Sequence, residues 1–286
     1  MGTNIGEGAC GSANKDDRVV QGFGEEWSRF SQLELTETER VTIFNDYFAE
    51  FPWAKLPEDA HGADIGCGSG RWAAVVAPRV GHLTCVDASA DALDVARCNL
   101  AGEDNVTFRQ ADVGNLPFAD GELDFAYSLG VLHHVPDTEG ALANVARTLK
   151  SGAPFLVYLY YAFDNRPLWF RILWRLSDGL RRIICRLPSS LRFTVCEVIA
   201  ALVYWPLAKL AESAALLGLS VRNLPLAYYR DKSFYVMRTD ALDRFGTRLE
   251  KRFSRPQIQA MLEAAGFDGI RFSSGEPYWC AAARKK

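Results

Sequence analysis

From His61 onwards, short apolar runs that end in turn residues alternate with helical stretches. The runs GADIGCG, GHLTCVDAS and NVTFRQAD are separated by RWAAVVAPRV and ADALDVARCNLA, and the pattern continues through LDFAYSLG, a helix at 138–149 and the apolar run APFLVYLYY. Parallel strands need a crossover connection, and an α-helix is its usual form. The alternation therefore predicts an α/β fold with a doubly wound, mostly parallel sheet.

The rest of the chain divides around this predicted sheet. The Gly-rich residues 1–18 have little to bury and are predicted to be disordered, whereas the aromatic pattern of 19–57 predicts helices that pack on the rest of the chain. The core occupies 58–161. Over 162–250, prolines punctuate basic-aromatic and apolar helical segments, which predicts an inserted helical cap with a substrate site. A helix and two strands within 251–286 then complete a seven-stranded sheet.

Composition argues against several classes of function. With 32 basic and 35 acidic side chains the net charge is −3, so no general field attracts nucleic acid and none is expected as a partner. Seven scattered cysteines without a CxxC pair indicate a reduced, cytoplasmic protein, and the four histidines lack metal-ligand spacing, so no metal is expected. The longest apolar run, 198–208, is about half the ~20 residues that a membrane span requires, which argues against a span.

The strongest local signal is the segment DIGCGSGR at 64–71, where a buried strand turns into a helix. Glycines suit this turn because a β-carbon would block the close approach of a nucleotide, and the free N–H groups of the helix start point at the ligand. Asp87 ends the second strand about twenty residues later, where a carboxylate can accept hydrogen bonds from ribose hydroxyls. Asp112 ends the third strand at the same edge. The alternative for these residues is a tight turn, a helix N-cap and a turn residue that bind nothing.

Together these residues resemble the class I S-adenosylmethionine (SAM)-dependent methyltransferases. The GxGxG loop, LDFAYSLGVLHHVPD and LKSGAPFLVYLY match motifs of that family, and GFGEEW at 22–27 resembles the opening of many bacterial small-molecule members. The resemblance covers 61–160 closely and 254–286 loosely, and Ala153 departs from it where a second glycine is common. It implies that family's strand order with an antiparallel last strand, SAM as cofactor and S-adenosylhomocysteine (SAH) as product. It also implies that 19–57 is a helical lid.

The resemblance also implies roles for the residues at the predicted cofactor site. By this comparison, Asp64 lies near the methionine part, Asp87 holds the ribose, Asp112 flanks the adenine, and Leu129 lines the pocket beside the sulfonium. The full predicted cofactor set is Asp64, Gly66, Cys67, Gly68, Gly70, Asp87, Ala88, Asp112, Val113, Leu129 and Gly130.

Catalytic and acceptor-binding residues are predicted around the same edge of the sheet. His133 and His134 follow the fourth strand, and an imidazole with an unperturbed pKa of roughly 6.5 suits removal of an acceptor proton, with His133 as the leading candidate. The alternative is that both histidines only orient the loop. The lid, the end of the fifth strand and the cap supply the predicted acceptor residues, namely Trp27, Phe30, Tyr158, Tyr160, Asn165, Arg166, Tyr228, Tyr229 and Arg230.

The cap segment RPLWFRILWRLSDGLRRIICRLP at 166–188 interleaves arginines with Trp, Phe, Leu and Ile. A basic aromatic helix can lie in a membrane interface, which would suit a lipid acceptor. The sequence favours the alternative, an ordinary cap helix packed on the apolar helix at 195–210 with its arginines in water. Membrane contact therefore stays open but is not favoured. RNA binding is not expected, because aromatic residues packed in a core cannot stack on bases.

The predicted function is methyl transfer from SAM to a hydrophobic or aromatic small molecule, at oxygen, nitrogen or carbon. One alternative is a nicotinamide-dependent reductase, since the glycine turn and Asp87 fit that cofactor too, although dinucleotide sites more often have the spacing GxGxxG. Another alternative is a non-catalytic subunit that binds SAM or docks on a membrane. A monomer and a homodimer both fit the composition.

Overall fold

A seven-stranded sheet forms the centre of the computed structural model, which describes residues 14–32 and 34–286. The strands are β1 (His61–Ile65), β2 (His82–Asp87), β3 (Val106–Gln110), β4 (Phe125–Leu129), β5 (Pro154–Tyr158), β6 (Phe267–Phe272) and β7 (Ala281–Lys285). Their order is β3-β2-β1-β4-β5-β7-β6, with β1 to β5 parallel and β7 antiparallel to both neighbours. The predicted α/β class, strand number and strand order are confirmed.

Helices cover both faces of the sheet. They are α1 (Asp17–Arg29), α2 (Glu37–Phe48), α3 (Ala73–Val76), α4 (Ala90–Asn99), α5 (Thr138–Thr148) and, after the cap, α10 (Arg255–Ala264). Alternate residues of β4 face opposite sides: Phe125 and Tyr127 pack with α2, α3 and α4, while Ala126 packs with α5 and α10. Because side chains of a strand alternate between faces, the apolar run of β4 supplies two cores at once.

The helices begin where the sequence supplies a cap. Ser89 is the N-cap of α4 and accepts from the Ala92 N–H at 3.3 Å, and Asp137 caps α5 in the same way. Ser254 and Gln257 form a capping box at the start of α10. These caps satisfy N–H groups that have no partner inside the helix.

Four helices lie between β5 and α10, in the segment predicted to be the cap. They are α6 (Leu168–Ile184), α7 (Ser189–Ile199), α8 (Trp205–Leu216) and α9 (Phe234–Gly246), with a π-helical segment at Ala200–Tyr204 and a 3₁₀ helix at Ala227–Asp231. The central helix of this group is α9, which contacts α1, α6 and α7. The cap therefore rests on the sheet domain partly through α1.

The prediction that no segment is long enough to span a membrane was wrong. It relied on the run at 198–208, whereas α7, the π-helical segment and α8 form one continuous helix, Ser189–Leu216. In the described part of the chain, this helix meets the length and composition of a membrane span. Its packed side is a stripe of buried residues, Arg192, Cys196, Ala200, Tyr204, Ala208 and Ala211.

The packing of β1 on its neighbour generates a stability prediction. A β-carbon at Gly62 would lie 2.1 Å from the Phe125 ring, so Gly62→Ala must displace a fully buried side chain. Overpacking of this kind costs about 1–3 kcal/mol. We expect urea unfolding to show that loss of unfolding free energy in Gly62→Ala.

Gly102→Ala is the matched control, because a β-carbon at Gly102 has no atom within 4 Å. Its unfolding free energy should stay within about 0.5 kcal/mol of the wild type. Equal stability of the two variants would contradict the packing described for β1.

Candidate functional site

The glycine loop after β1 is held by the end of β2. The Gly66 N–H donates to the Val86 carbonyl at 2.7 Å, and the Gly68 N–H donates to Asp87 Oδ2 at 2.9 Å. Gly68 has a φ of +53°, and a β-carbon there would lie 2.8 Å from the ring of Trp27 on α1. Glycine at this position therefore lets the loop contact the carboxylate and the indole together.

The Asp87 carboxylate also reaches the next helix. Its Oδ1 accepts from the N–H of Ser89 at 2.9 Å, and Ser89 caps α4. Burial raises the pKa of Asp87, whereas the N–H groups of Ser89, Gly68 and Ala88 lower it. Each carboxylate oxygen can accept more than one hydrogen bond, so Asp87 keeps the capacity to bind ligand hydroxyls.

Residues 14–20, which we term the N-terminal strap, lie across the same edge of the sheet. The Asn14 N–H donates to Asp112 Oδ1 at 3.0 Å, and its side chain exchanges two hydrogen bonds with the backbone of Asp137, at 2.6 and 2.9 Å. Asn14 is 8% exposed. Disorder was predicted for residues 1–18, of which residues 1–13 lie outside the described part. Residues 14–18 are ordered by these contacts and by the start of α1, so the prediction was wrong for them.

A cavity of about 130 Å³, the small cavity, lies between the strap and the strand ends. Its walls include Asp87, Ala88, Asp112 and Val113, all in the predicted cofactor set, together with strap residues. Two carboxylates suited to hydroxyl and amine donors, next to apolar side chains, match the mixed polarity of a nucleoside. At Gly130, with a φ of +79°, a β-carbon would point into open space, so the backbone leaves room at this wall.

Most of the predicted cofactor residues come together here. Gly66, Cys67, Asp87, Ala88, Asp112, Val113, Leu129 and Gly130 line the small cavity, whereas Asp64, Gly68 and Gly70 do not. Asp64 is 2% exposed, and burial raises its pKa to about 8. Asp64 thus lies buried behind the glycine loop. Gly68 and Gly70 belong to the loop and allow its tight turn, but they do not form the cavity wall.

A second cavity of about 460 Å³, the large cavity, lies between the sheet edge and the cap. Aromatic side chains dominate its walls, with contributions from α1, β5, α6, the π-helical segment, α9 and the loops between them. The two cavities adjoin, because one set of residues lines both: Phe23, Trp27, Arg71, Trp72, Leu129 and Gly130. We term this set the shared wall.

The predicted acceptor residues divide between this cavity and other places. Trp27, Tyr158, Tyr160, Arg166, Tyr228 and Tyr229 line the large cavity, whereas Phe30, Asn165 and Arg230 do not. Phe30 is a core residue, 3% exposed, with its ring edge-on to Tyr235. Arg230 instead donates to the backbone carbonyl of Ala227 at 3.0 Å.

The two histidines differ in their access to the cavities. His133 is fully buried, lines neither cavity and stacks on the Tyr160 ring at 3.9 Å, and burial lowers its pKa well below the ordinary value. Because His133 lines neither cavity, its position does not support the predicted role in removing an acceptor proton. His134 lines the small cavity, and its Nδ1 lies 2.6 Å from the Leu249 carbonyl.

Acidic side chains that the sequence did not single out line the large cavity. Tyr160 donates its hydroxyl hydrogen bond to Asp243, and Tyr229 donates to Asp240 at 2.8 Å. Burial raises the pKa of Asp243 to about 7, with Glu250 raising it further. Burial likewise raises the pKa of Glu26 well above its ordinary value, and the negative charges of Asp243 and Asp240 raise it further.

Asp243 also lies beside His134, with 3.7 Å between its Oδ1 and His134 Nε2. Although this distance satisfies an ion-pair criterion, burial lowers the pKa of His134 to about 4, so the imidazole is neutral at pH 7. The contact is therefore not a salt bridge at neutral pH. The Leu249 carbonyl accepts the proton of Nδ1, which leaves Nε2 as an acceptor toward Asp243.

Comparison with known proteins places this geometry in a family. The chain is 35% identical over 107 residues to the uncharacterized methyltransferase YcgJ of Bacillus subtilis, which is 37% of this chain and 42% of that protein. It is 30% identical over 159 residues to the sterol 4-C-methyltransferase strm-1 of Caenorhabditis elegans, 53% of this chain and 45% of that protein. The chain thus spans less than half the length of either relative.

A solved structure supports the fold over most of the chain. In the complex between the Haloferax volcanii Trm112 methyltransferase activator and the putative methyltransferase, the matching chain has a TM-score of 0.54 and 14% identity, over 93% of this chain and 96% of that one. In sequence, the family described as methyltransferase domain matches residues 63–157. Residues 63–157 are a class I SAM-dependent methyltransferase domain. This assignment confirms the predicted resemblance.

The methyltransferase domain supplies β1 to β5 and the loops at their carboxyl ends, and the large cavity needs more than this domain. Phe23, Glu26 and Trp27 come from α1, and Asp240 and Asp243 come from α9. Of these, only Trp27 was predicted as a site residue. The motif GFGEEW contains Glu26 and offered a signal for it, whereas the DALDRF stretch of α9 offers none, because its acids look like those of any exposed helix.

The N-terminal strap generates a kinetic prediction. Asn14→Ala removes the two side-chain hydrogen bonds to Asp137, each worth about 0.5–1.5 kcal/mol. We expect SAH to dissociate about fivefold to 150-fold faster from Asn14→Ala, as measured by stopped-flow displacement, because the strap opens more often.

Asp17→Ala is the control, since it removes only an exposed ion pair with Lys15. Its dissociation rate should equal that of the wild type. An unchanged rate in Asn14→Ala would show that the strap does not hold the ligand in place.

Proposed function

We propose that this protein transfers a methyl group from SAM to a hydrophobic or aromatic small molecule bound in the large cavity. The observation that carries the proposal is the shared wall, where the small cavity with Asp87 and Asp112 meets the large cavity at Leu129 and Gly130. Direct transfer between two bound molecules requires such contact, because the reacting atoms must be held within van der Waals distance and aligned.

The residues of the small cavity fit SAM group by group. When bound, SAM supplies an electrophilic methyl group on a positively charged sulfonium. Asp87 is the proposed hydrogen-bond acceptor for the ribose hydroxyls and Asp112 for the adenine end, with Val113 against the base. Arg71, on the shared wall directly after the glycine loop, gives a positive charge for the carboxylate of the methionine end.

The chain excludes water from the shared wall with aromatic side chains. Phe23 and Trp27 of α1 and Trp72 after the glycine loop contribute rings to both cavities. A dry junction strengthens the electrostatic interactions within it and protects the methyl donor from attack by water. Phe23 and Trp27 are therefore proposed to form part of the lid predicted for 19–57, with Trp72 of the sheet domain packed below them.

The large cavity supports an acceptor with an extended hydrocarbon or aromatic body and a polar reacting atom. Tyr158, Phe170 and Trp174 belong to its predominantly apolar wall, while its acids come from α1, α9 and the loop between β6 and β7 that carries Glu276. Small-molecule sites usually combine such apolar walls with few polar groups that fix orientation. The sterol 4-C-methyltransferase among the relatives supports an acceptor of this kind.

Asp243 is the proposed general base of the reaction. It lines the large cavity, lies next to His134 of the small cavity, and has a pKa raised to about 7, close to the pH at which a base works best. In this role the Asp243 carboxylate takes the proton that an acceptor hydroxyl or amine loses when its oxygen or nitrogen bonds to the transferred methyl carbon. His133 is not proposed for this role, because it contacts neither cavity.

Titration calorimetry with SAH tests the cofactor site without knowledge of the acceptor. We expect binding to the wild type and a loss of affinity of tenfold or more in Asp87→Ala, since a hydrogen bond to a charged group contributes about 1.5–3 kcal/mol. Asp94→Ala, which changes an exposed ion pair on α4, should bind as the wild type does. Failure of the folded wild type to bind SAH would contradict the proposed function.

The pH dependence of methylation tests the base. Because Asp243 must be ionised to accept a proton, the rate with an acceptor found by screening hydrophobic phenols and lipids should fall as the pH drops through about 7. Asp243→Asn should lower the rate about 10²-fold to 10⁴-fold and remove that step, while SAH affinity is retained.

Asp240→Asn is the matched comparison, because Asp240 is also hydrogen-bonded to a tyrosine in the same cavity. It should alter the KM for the acceptor and leave the step near pH 7 in place. If Asp240→Asn removes the step and Asp243→Asn does not, the base has been assigned to the wrong carboxylate.

A further inference from the structure

The exposed apolar surface of the protein is concentrated on the cap. Of the large apolar side chains exposed in the described part of the chain, all but Phe234 lie between Leu168 and Leu219. Soluble domains rarely gather exposed apolar side chains in one region, and such a region commonly marks a binding surface. The sequence favoured the opposite arrangement, with the apolar side of α6 packed and its arginines in water.

Helix α6 presents an apolar stripe to solvent along its whole length. Leu176 is 70% exposed and Ile183 is 63% exposed. The exposed residues recur every three or four positions, so they share one side of the helix: Leu168, Trp169, Ile172, Leu173, Leu176, Leu180 and Ile183. The opposite side, with Asp178, Arg181 and Ile184, is buried and packs toward α9.

Exposed arginines follow one edge of this stripe. Arg171, Arg175 and Arg182 are exposed and lie four and seven positions apart, beside the apolar side chains on the helix. The one acid of α6 is Asp178, which pairs with Arg181 and Arg182 and is itself buried. Arg171 and Arg175 therefore have no acid on their own helix, although the whole chain carries a net charge of −3.

The continuous helix Ser189–Leu216 adds a second exposed apolar side. Leu202 is 71% exposed and Trp205 is 48% exposed, opposite the buried stripe that ends in Ala208 and Ala211. Leu173 of α6 and Val203 of the π-helical segment are both nearly half exposed and both line the large cavity. The large cavity therefore reaches the surface between the two apolar sides.

We propose that this surface, which we term the cap face, docks on an anionic lipid bilayer. An apolar stripe flanked by arginines is the pattern of a helix that lies in the interface, with leucines among the acyl chains and guanidinium groups at the phosphates. A hydrophobic partner protein would account for the leucines but not for Arg171 and Arg175 along their edge, which form no ion pair within the described part of the chain. The charge pattern thus selects a bilayer with negatively charged headgroups.

Docking in this orientation turns the opening of the large cavity toward the bilayer. An apolar acceptor then passes between α6 and the π-helical segment without crossing water. This delivery rests on the proposed function, whereas docking itself does not. Affinity for vesicles and affinity for SAH are therefore measured separately on each variant, so that the two can fail independently.

Vesicle flotation tests the docking. The wild type should bind phosphatidylcholine vesicles that contain phosphatidylglycerol more strongly than vesicles of phosphatidylcholine alone, and added salt should weaken the binding. Leu176→Glu combined with Ile183→Glu should lower the partition coefficient at least tenfold, and Arg171→Gln or Arg175→Gln about fivefold each. SAH affinity should be unchanged in all of these variants, which shows that they are folded.

Arg109→Glu is the control, because Arg109 is an exposed arginine on the edge strand β3 of the sheet. It should float with the vesicles as the wild type does. The proposal is overturned if the wild type binds neither vesicle, if both compositions bind it equally, or if the Leu176 and Ile183 variant keeps its affinity. It is also overturned if the cap face instead forms a dimer in sedimentation that the same variant abolishes while vesicles are not bound.

Discussion

Two hydrogen bonds from backbone N–H groups to the Asp87 carboxylate hold the centre of the site. They connect the end of β2 to the glycine loop after β1 and to the first turn of α4. The connection that follows β1 leads to β2 on one side, whereas the connection that follows the neighbouring β4 leads to β5 on the other side, which opens a crevice at the carboxyl ends of these strands. The sheet order therefore creates the crevice. The hydrogen bond to Asp87 holds the glycine loop at the wall of this crevice, where Gly68 lies against Trp27.

The pKa values of the carboxyl groups in the large cavity depend on the positive charge at the shared wall. Burial raises the pKa of Glu26, Asp240 and Asp243, and the charge of Arg71 lowers the pKa of each. A positive charge brought to the shared wall adds to the effect of Arg71, because a nearby cation favours the ionised form of a carboxyl group. The charge of these carboxyl groups is thus coupled to ligand binding through the wall that the two cavities share.

Local sequence patterns predicted the strands and the parallel core of the sheet, whereas its strand order and antiparallel last strand came from the family resemblance. Apolar runs, the glycine spacing and the aspartates at strand ends are each contained in a few neighbouring residues, and the structure brings Asp87, Asp112 and Gly130 together as the motifs imply. The large cavity depends instead on contacts between α1, α6 and α9, which are distant in the chain. No spacing rule distinguishes Asp243 from a solvated acid of an amphipathic helix, and none shows that Tyr160 covers His133. The motif located both histidines after β4, but it could not show that His134 lines the small cavity while His133 lines neither cavity.

The strap at Asn14 and the opening at Leu173 and Val203 lie on different walls, one belonging to the small cavity and the other to the large cavity. With the strap as the proposed entrance for the cofactor and this opening as the proposed entrance for the acceptor, no steric reason remains for a compulsory order of substrate addition. Under the proposed function, spent cofactor is exchanged through one entrance while the acceptor stays in place behind the other. Such an arrangement is compatible with random-order kinetics and with several successive turnovers on one retained acceptor molecule.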